Sequence, residues 1–232
     1  MNQPNLPRWA LPCMAVLSLM LTGGCSGLLP KGPPPPLVYA LDGSRDAFPT
    51  MVPVAESTTA PTLIINPPSA APGYDTRHIV YVQVAYQLQH FARSEWVAPP
   101  ARMLLPIMVS AIENTGSFRA VGPVSSGIAG DLRLDTEILR LHQEFGGGPS
   151  RVRFTLRVTL SDKLSRQVNS WRQFDETVVS ASDDTYGGVA AANRAVQLVM
   201  QQLAAYCTLT SKSWQASRRK DSKPTEQMRS LN

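Results

Sequence analysis

Cys25 is the residue whose surroundings most clearly predict chemistry. It follows Leu21-Thr-Gly-Gly24, and small residues directly before a cysteine suit the narrow site of the peptidase that matures lipoprotein precursors. The thiol would receive diacylglycerol, and the mature chain would begin at a lipidated Cys25, with palmitate as an acyl group. The pattern resembles a bacterial lipobox, with Thr22 where leucine is commonest. An ordinary secretory signal with a chance cysteine, or an uncut membrane anchor, is the alternative.

The segment before Cys25 predicts a signal peptide over residues 1–24. Arg8 precedes 13 uncharged residues from Trp9 to Leu21. A transmembrane helix needs about 20 apolar residues, so this run is too short to span a bilayer and instead matches the apolar core of a secretory signal.

Residues 25–36 predict a lipidated cysteine followed by a proline-rich tether. Pro33 to Pro36 favour extended polyproline II, and the eleven residues from Ser26 to Pro36 reach about 34 Å at 3.1 Å per residue. Ser26 stands where an inner-membrane lipoprotein would carry aspartate. We therefore expect the chain to be anchored in an outer membrane and to face the periplasm.

The other residues with chemical potential form no catalytic or metal-binding pattern. His78, His90 and His142 have no second ligand at metal spacing, and the acidic row Asp131, Asp135 and Glu137 is interleaved with arginine, which favours a salt-bridged face. The run of glycines from Gly146 to Gly148 lacks the Lys-Ser or Lys-Thr of a phosphate loop and indicates a hairpin turn. A Gly-x-Ser-x-Gly elbow is also absent from the sequence. We predict no catalytic residue, metal or cofactor.

The numbers of cysteines and of charged residues narrow the class of protein further. If Cys13 leaves with the signal and Cys25 is lipidated, Cys207 has no partner for an intramolecular disulfide and is expected to be a small buried residue. Residues 25–207 hold 15 basic and 15 acidic side chains, so the excess of positive charge lies in residues 208–232, where a basic disordered tail is expected. A neutral domain argues against nucleic-acid binding. The tail is expected to be solvated, or else to contact anionic lipid or an acidic partner.

The elements that must position these residues form a domain over residues 37–207. Pro99-Pro100 opens a helix to about Asn114, and Asp183-Asp-Thr185 caps a second from about Tyr186 to Cys207. The alternation of apolar and polar side chains predicts long strands, and short apolar runs predict others, at 37–41, 62–66, 79–83, 87–91, 118–121, 131–138, 151–160 and 167–179. The predicted fold is α+β with two layers: a mostly antiparallel sheet with two long helices packed on one face.

Aromatic residues near the first predicted hairpin are candidate partner contacts. Tyr86, Phe91 and Trp96 would mark a docking face if they are exposed, whereas the alternative is that they pack the hairpin onto the helix.

Four stretches in this order resemble the ABC-type transport auxiliary lipoproteins, which include the paraquat-inducible lipoprotein C group. They are Pro72-Gly-Tyr-Asp-Thr-Arg-His-Ile-Val-Tyr81, Phe91-Ala-Arg-Ser-Glu-Trp-Val-Ala-Pro-Pro-Ala-Arg-Met103, Asp131-Leu-Arg-Leu-Asp-Thr-Glu137 and Tyr186-Gly-Gly-Val-Ala-Ala-Ala-Asn-Arg194. Together with the tether they span most of the chain after Cys25.

The resemblance implies a non-enzymatic accessory lipoprotein of a lipid-transport system. Its implied partners are an MCE-domain protein and an ABC permease and ATPase that move lipid between two membranes, and a homo-oligomer is possible. Only Cys25 carries over as a functional residue. Two alternatives stay open: a stand-alone envelope scaffold without a transport role, and a periplasmic enzyme, which would need a pocket of clustered polar residues.

Overall fold

The computed structural model describes residues 34–42, 60–163, 165 and 167–222. The predicted signal peptide, Cys25 and most of the tether lie outside the described residues. The described part contains nine strands and two α-helices, and their bounds are β1 Leu37–Tyr39, β2 Thr62–Ile65, β3 Ser69–Ala70, β4 His78–Val82, β5 Leu88–Trp96, α1 Pro100–Glu113, β6 Ala120–Pro123, β7 Leu132–Glu144, β8 Arg151–Asp162, β9 Val168–Val179 and α2 Thr185–Ser222.

Strand β7 organises the sheet because both of its edges are paired. One edge pairs with β8, which pairs in turn with β9, and these three strands are antiparallel. The other edge carries three shorter strands one after another, β2 and β3 near its start and middle and β4 at its end. Strand β6 continues the sheet beyond β2, and β5 and β1 continue it beyond β4. The α+β class is therefore confirmed.

The long strands are antiparallel as predicted, but the sheet as a whole is mixed. β2 is parallel to both β6 and β7, β3 and β4 are parallel to β7, and β1 is parallel to β5. The physical reason is visible in β2, whose four residues Thr62-Leu-Ile-Ile65 are all buried. A strand covered on both faces reads as a continuous apolar run, which is typical of parallel strands and gives no alternation to follow.

The apolar face of the sheet packs against both helices. Helix α1 buries Leu104, Met108 and Ile112, and the Thr136 hydroxyl on β7 lies 3.8 Å from the Met108 sulfur. Helix α2 buries one apolar face, formed by Val189, Ala192, Val196, Val199, Met200, Leu203 and Tyr206. These side chains meet inward residues of the long strands, including Leu134, Phe154 and Leu156, in one core.

The predicted end of the second helix near Cys207 is wrong, because α2 continues to Ser222. Ser211 is buried, and the Trp214 ring is partly buried against the core, where its Nε1 donates a hydrogen bond of 2.6 Å to Asp162 Oδ2. The Arg218 guanidinium lies 4.8 Å from the centre of the Trp214 ring. Residues 208–222, expected as disordered tail, are therefore helical and held by specific contacts; residues 223–232 lie outside the described part.

Candidate functional site

The domain begins at β1, which the last helix holds in place. Asn193 on α2 accepts a hydrogen bond of 2.5 Å from the Asp42 backbone N–H, and its Nδ2 donates to the Ala40 carbonyl at 3.2 Å. One side chain thus fastens the chain just after β1 to the C-terminal helix. We call this contact, which attaches the chain just after β1 to α2, the clasp.

The two ends of the sheet can be defined from strand pairing. At one end, which we call the hairpin end, Val82, Leu88, Glu144 and Arg151 lie at the same level, where β4 and β7 finish and β5 and β8 start. At the other, the far end, Leu132 opposes Asp162 where β7 starts and β8 finishes. The 13 residues of β7 separate these ends by about 40 Å at 3.3 Å per residue.

Tyr86 lies at the tip of the β4–β5 hairpin and is fully exposed, at 104% of its reference area. The Gln87 N–H bonds to the Val84 carbonyl at 3.1 Å, and Tyr86 has φ 69°, which places a positive φ at the third residue of the turn. Glycine or asparagine normally occupies such a position, because a left-handed conformation costs other residues about 1–2 kcal/mol. The hairpin therefore displays a tyrosine ring at a conformational cost.

Phe91 and Trp96 differ from Tyr86 in their surroundings. Phe91 is half-buried, with its ring centre 4.7 Å from that of Tyr81 and 6.5 Å from that of Phe145. Trp96 is only 3% exposed and belongs to the core. The three predicted contact residues therefore do not form one exposed face, and Trp96 follows the alternative of packing within the domain.

A chain of polar side chains runs along the outer face near the hairpin end. His142 is buried; its Nδ1 lies 2.7 Å from the Tyr74 hydroxyl and its Nε2 lies 3.2 Å from Glu144 Oε1. Glu144 Oε2 accepts a further hydrogen bond of 2.9 Å from Arg151 Nε. Burial lowers the pKa of His142, against the opposing effect of Glu144. In the neutral imidazole, Nε2–H donates to the carboxylate and Nδ1 accepts from Tyr74.

Within this row of polar side chains, both ring nitrogens of His142 have partners in the protein. The neighbouring cavity, lined by Trp96, Leu141, His142, Gln143 and Gly188 among others, has a volume of about 10 Å³. That volume holds about one water molecule. The Gln143 Oε1 atom is buried there without a protein partner, and a single water is the occupant that fits it.

The acidic row is neutralised as predicted, although its partners are only partly those expected. Glu137 pairs with Arg157 on β8 at 3.0 Å, Asp135 pairs with Arg133 on its own strand at 2.9 Å, and Asp131 lies 3.8 Å from Arg119. His78 and His90 stack with their ring centres 4.4 Å apart. Among the residues that the structure describes, no group of three His, Cys, Asp or Glu side chains is arranged to hold a metal ion.

The start of α2 is capped as predicted. Asp184 Oδ1 accepts a hydrogen bond of 2.7 Å from the Gly187 N–H, and Asp183 Oδ1 accepts one of 2.8 Å from the Ser150 N–H, tying the helix to the β7–β8 loop. These hydrogen bonds lower the pKa of both carboxyls. A Cβ on Gly187 would collide with the Ser182 backbone, and one on Gly188 with the Gln143 side chain. The glycines therefore serve close packing.

Cys207 is fully buried on α2, as expected for a small core residue. Burial raises the pKa of its thiol to about 12, so the thiolate that reacts or binds metal does not form at neutral pH.

None of the helices in the described ranges has the length and apolar character needed to cross a membrane.

Sequence reasoning missed Asn193, Tyr74 and Asp162 as side chains that join distant parts of the chain. Asn193 interrupts an alanine-rich helix sequence and Tyr74 lies in a loop, and neither position carries a local signal for its partner. One available signal was overlooked for the end of α2. Pro224 is the first proline or glycine after Gly188, and helices usually end before the residue that precedes a proline.

Comparison with known proteins gives one family and a set of similar folds. A family model described as the ABC-type transport auxiliary lipoprotein component matches residues 40–204. The crystal structure of a Xanthomonas campestris protein is similar with a TM-score of 0.66 and 24% identity, over 76% of this chain and 97% of that one. A structure of an uncharacterised protein has a TM-score of 0.58 and 15% identity, over 75% of this chain and 99% of that one. No curated protein matches this chain in sequence.

Proposed function

Because this chain belongs to the ABC-type transport auxiliary lipoprotein component family, we propose that it is a non-enzymatic accessory lipoprotein of an ABC transport system that moves lipid between membranes. In this proposal it is anchored in the outer membrane by lipid on Cys25, faces the periplasm, and docks or assembles a complex of an MCE-domain protein with an ABC permease and ATPase.

The observation that carries the proposal is the extent of the family match. Residues 40–204 run from the clasp after β1 into the buried part of α2, and so include most of the core. The domain itself supports a role in binding rather than catalysis. Its row of polar side chains, from Tyr74 through His142 to Glu144, is held by hydrogen bonds between its own members. The cavity beside it holds about one water.

The anchor part of the proposal is tested by the two cysteines of the leader region. Cells that express the full chain are fed an alkyne analogue of palmitate, and the protein is then checked for label. We expect Cys25→Ala to abolish labelling, and Cys13→Ala, twelve residues upstream, to retain it. Labelling that persists in Cys25→Ala would contradict the assigned attachment site. Density-gradient separation of the two membranes should recover the labelled wild-type chain with the outer membrane.

The partner part is tested by purifying the tagged, lipidated full chain from native membranes in mild detergent. We expect mass spectrometry to identify a permease, an ATPase and an MCE-domain protein, and we expect their recovery to fall in Cys25→Ala. Recovery of envelope-assembly proteins without any ABC subunit would instead favour a stand-alone scaffold and would sink the transport role.

A further inference from the structure

We propose that the tip of the β4–β5 hairpin, residues 83–88, is a second membrane contact that rests in the interfacial layer of the bilayer that holds the lipid anchor. The inference rests on lipid attachment at Cys25, which is part of the proposed function. It adds a surface of the folded domain to an attachment otherwise made only through the tether.

The composition of the hairpin suits the surface of a bilayer. From Ile79 to Ala92 the sequence contains no Asp, Glu, Lys or Arg, and the exposed side chains of the tip include Val84, Tyr86 and Leu88. Exposed strands and their turns usually carry charges that prevent association. An uncharged tip with apolar side chains and one tyrosine enters the interfacial layer without desolvating a charge.

The conformation of Tyr86 supports a contact outside the domain. The ring is fully exposed although the backbone holds a positive φ that suits glycine better. When a bulky residue has a strained backbone and its side chain is not buried in the domain, the strain indicates a functional constraint. Tyrosine is enriched at membrane interfaces because its ring is apolar while its hydroxyl stays hydrated.

The length of chain before β1 favours the membrane as the occupant. β1 runs parallel to β5 with Leu37 opposite Ser94, so the first residue of β1 lies at the end of that strand nearer the hairpin tip. Leu88 is six residues from Ser94, or roughly 20 Å along the strand. The twelve residues from Cys25 to Leu37 reach roughly 40 Å when extended, so the lipid can lie beyond the level of the tip.

The neighbouring surface of the hairpin end also permits close approach. The β7–β8 loop contains Phe145-Gly-Gly-Gly-Pro149 and no charge, and the Phe145 N–H bonds to the Val82 carbonyl at 2.9 Å. Glu144 and Arg151 pair at 2.9 Å. At the start of α2, Asp183 and Asp184 accept backbone hydrogen bonds. These four charged groups therefore already have partners within the protein.

A protein partner is the less suitable occupant of this tip. A standard protein interface buries about 800 Å² on each side, which three side chains on one turn do not supply. The membrane interface requires only a few exposed apolar groups beside an anchor that already holds the domain nearby.

The test uses the mature, lipidated full chain in vesicles of phosphatidylethanolamine and phosphatidylglycerol that contain no other protein. Ala85→Cys, next to Tyr86, carries an environment-sensitive fluorophore, and labelling is selective because Cys25 is lipidated and Cys207 is buried. Trp171→Cys is the control position, since Trp171 is exposed, at 67%, near the far end of the sheet. We expect nitroxide lipids to quench the label at 85 severalfold more than the label at 171, and high salt to leave the difference intact because the tip is uncharged.

A second variant separates the contact from the fold. Glycine suits the positive φ at position 86, so Tyr86→Gly should leave the free energy of unfolding unchanged or slightly higher. A label at Ala85→Cys in the same variant should partition about tenfold less into the bilayer, as expected for removal of one buried aromatic side chain.

Three results would overturn the inference. The first is flotation of the chain with vesicles while labels at 85 and 171 are equally exposed to water. The second is a label at 85 that becomes shielded only when a protein partner is added. The third is a chain that does not float at all, which would refute the lipid attachment together with this inference; the first two leave the lipid attachment standing.

Discussion

Asp175 shows how single residues on the outer face of the sheet depend on their partners. Its carboxylate accepts hydrogen bonds from Arg153 on β8, at 3.0 and 2.5 Å, and from the Thr155 hydroxyl at 2.6 Å. The Arg153 hydrogen bonds, together with that of Thr155, lower the pKa of Asp175 to about 2 from an ordinary value of 3.8. The lowered pKa means that the ionised form of Asp175 stabilises the fold.

The stabilising effect of Asp175 should disappear in acid. Because the folded pKa is depressed, the contribution is fully present above pH 3.8 and is lost as the pH falls through about 2. We expect Asp175→Asn to lower the free energy of unfolding by about 1 kcal/mol at neutral pH, a small value because the pair is one-third exposed, and to have almost no effect near pH 2. Urea unfolding of both proteins across this range measures the difference, and a constant difference would contradict the assignment.

Tyr74 should stabilise the fold through a single hydroxyl. Tyr74→Phe removes the donor to His142 Nδ1 and leaves that buried acceptor without its partner. We expect a loss of about 1–3 kcal/mol in the free energy of unfolding, measured by chemical denaturation. Tyr186→Phe, at an exposed ring, is the control and should be neutral. Equal stability of the two variants would show that the hydrogen bond contributes nothing.

Residue-scale prediction from the sequence succeeded where the local pattern contains the answer. The caps at Asp183 and Asp184 and the burial of Cys207 follow from residue type and position. The exposure of Tyr86 and the burial of Trp96 do not, because both residues belong to one hairpin. The difference in exposure between Tyr86 and Trp96 depends on how far β5 extends past the turn and on which residues pack against the strand. The predicted strand stopped at Phe91, five residues short of Trp96.

At the scale of elements, the three long strands and both helices were predictable because each has a strict period. The prediction ended β7 at Ile138, whereas the strand runs to Glu144. A bulge between Ile138 and Arg140 shifts the alternation by one residue, so the pattern breaks although the strand continues. Parallel pairing of the short strands is not encoded locally, since it depends on which distant strand lies beside them.

The last turns of α2 make a testable element, because their sequence is too polar to predict a buried helix. Trp214 fixes them through its hydrogen bond to Asp162. We expect Trp214→Ala to lower the free energy of unfolding by about 2 kcal/mol and to speed amide hydrogen exchange after Ser211. Leu209→Ala, at an exposed position on the same helix, should change neither. Unchanged protection in Trp214→Ala would mean that the helix end does not depend on this contact.

At the scale of the whole molecule, uncharged and basic surfaces lie at opposite ends. The hairpin end is uncharged at its tip, whereas α2 passes the far end at Trp214 and then carries Arg218, Arg219 and Lys220. The 38 residues of α2 extend about 57 Å at 1.5 Å per residue, longer than the sheet. The basic end of the helix therefore points away from the hairpin end.

This polarity predicts that the basic end stands away from the anchoring membrane. In vesicles, energy transfer from a donor on Ser217→Cys to acceptor lipids should be low, because the far end lies about 40 Å from the hairpin end along β7. The same donor on Ala85→Cys, which keeps Tyr86, should transfer strongly. Strong transfer from position 217 would instead place the basic residues on anionic lipid, which is the alternative that the sequence left open.

The clasp between Asn193 and the chain after β1 has a consequence for the order of events during synthesis. Because a polypeptide is made from its N-terminus, β1 appears at the start and α2 at the end. The apolar face of the sheet stays uncovered until Val189 to Tyr206 have emerged, and the β1 segment cannot be fastened until Asn193 is present. Tertiary structure therefore closes only after α2 has been delivered.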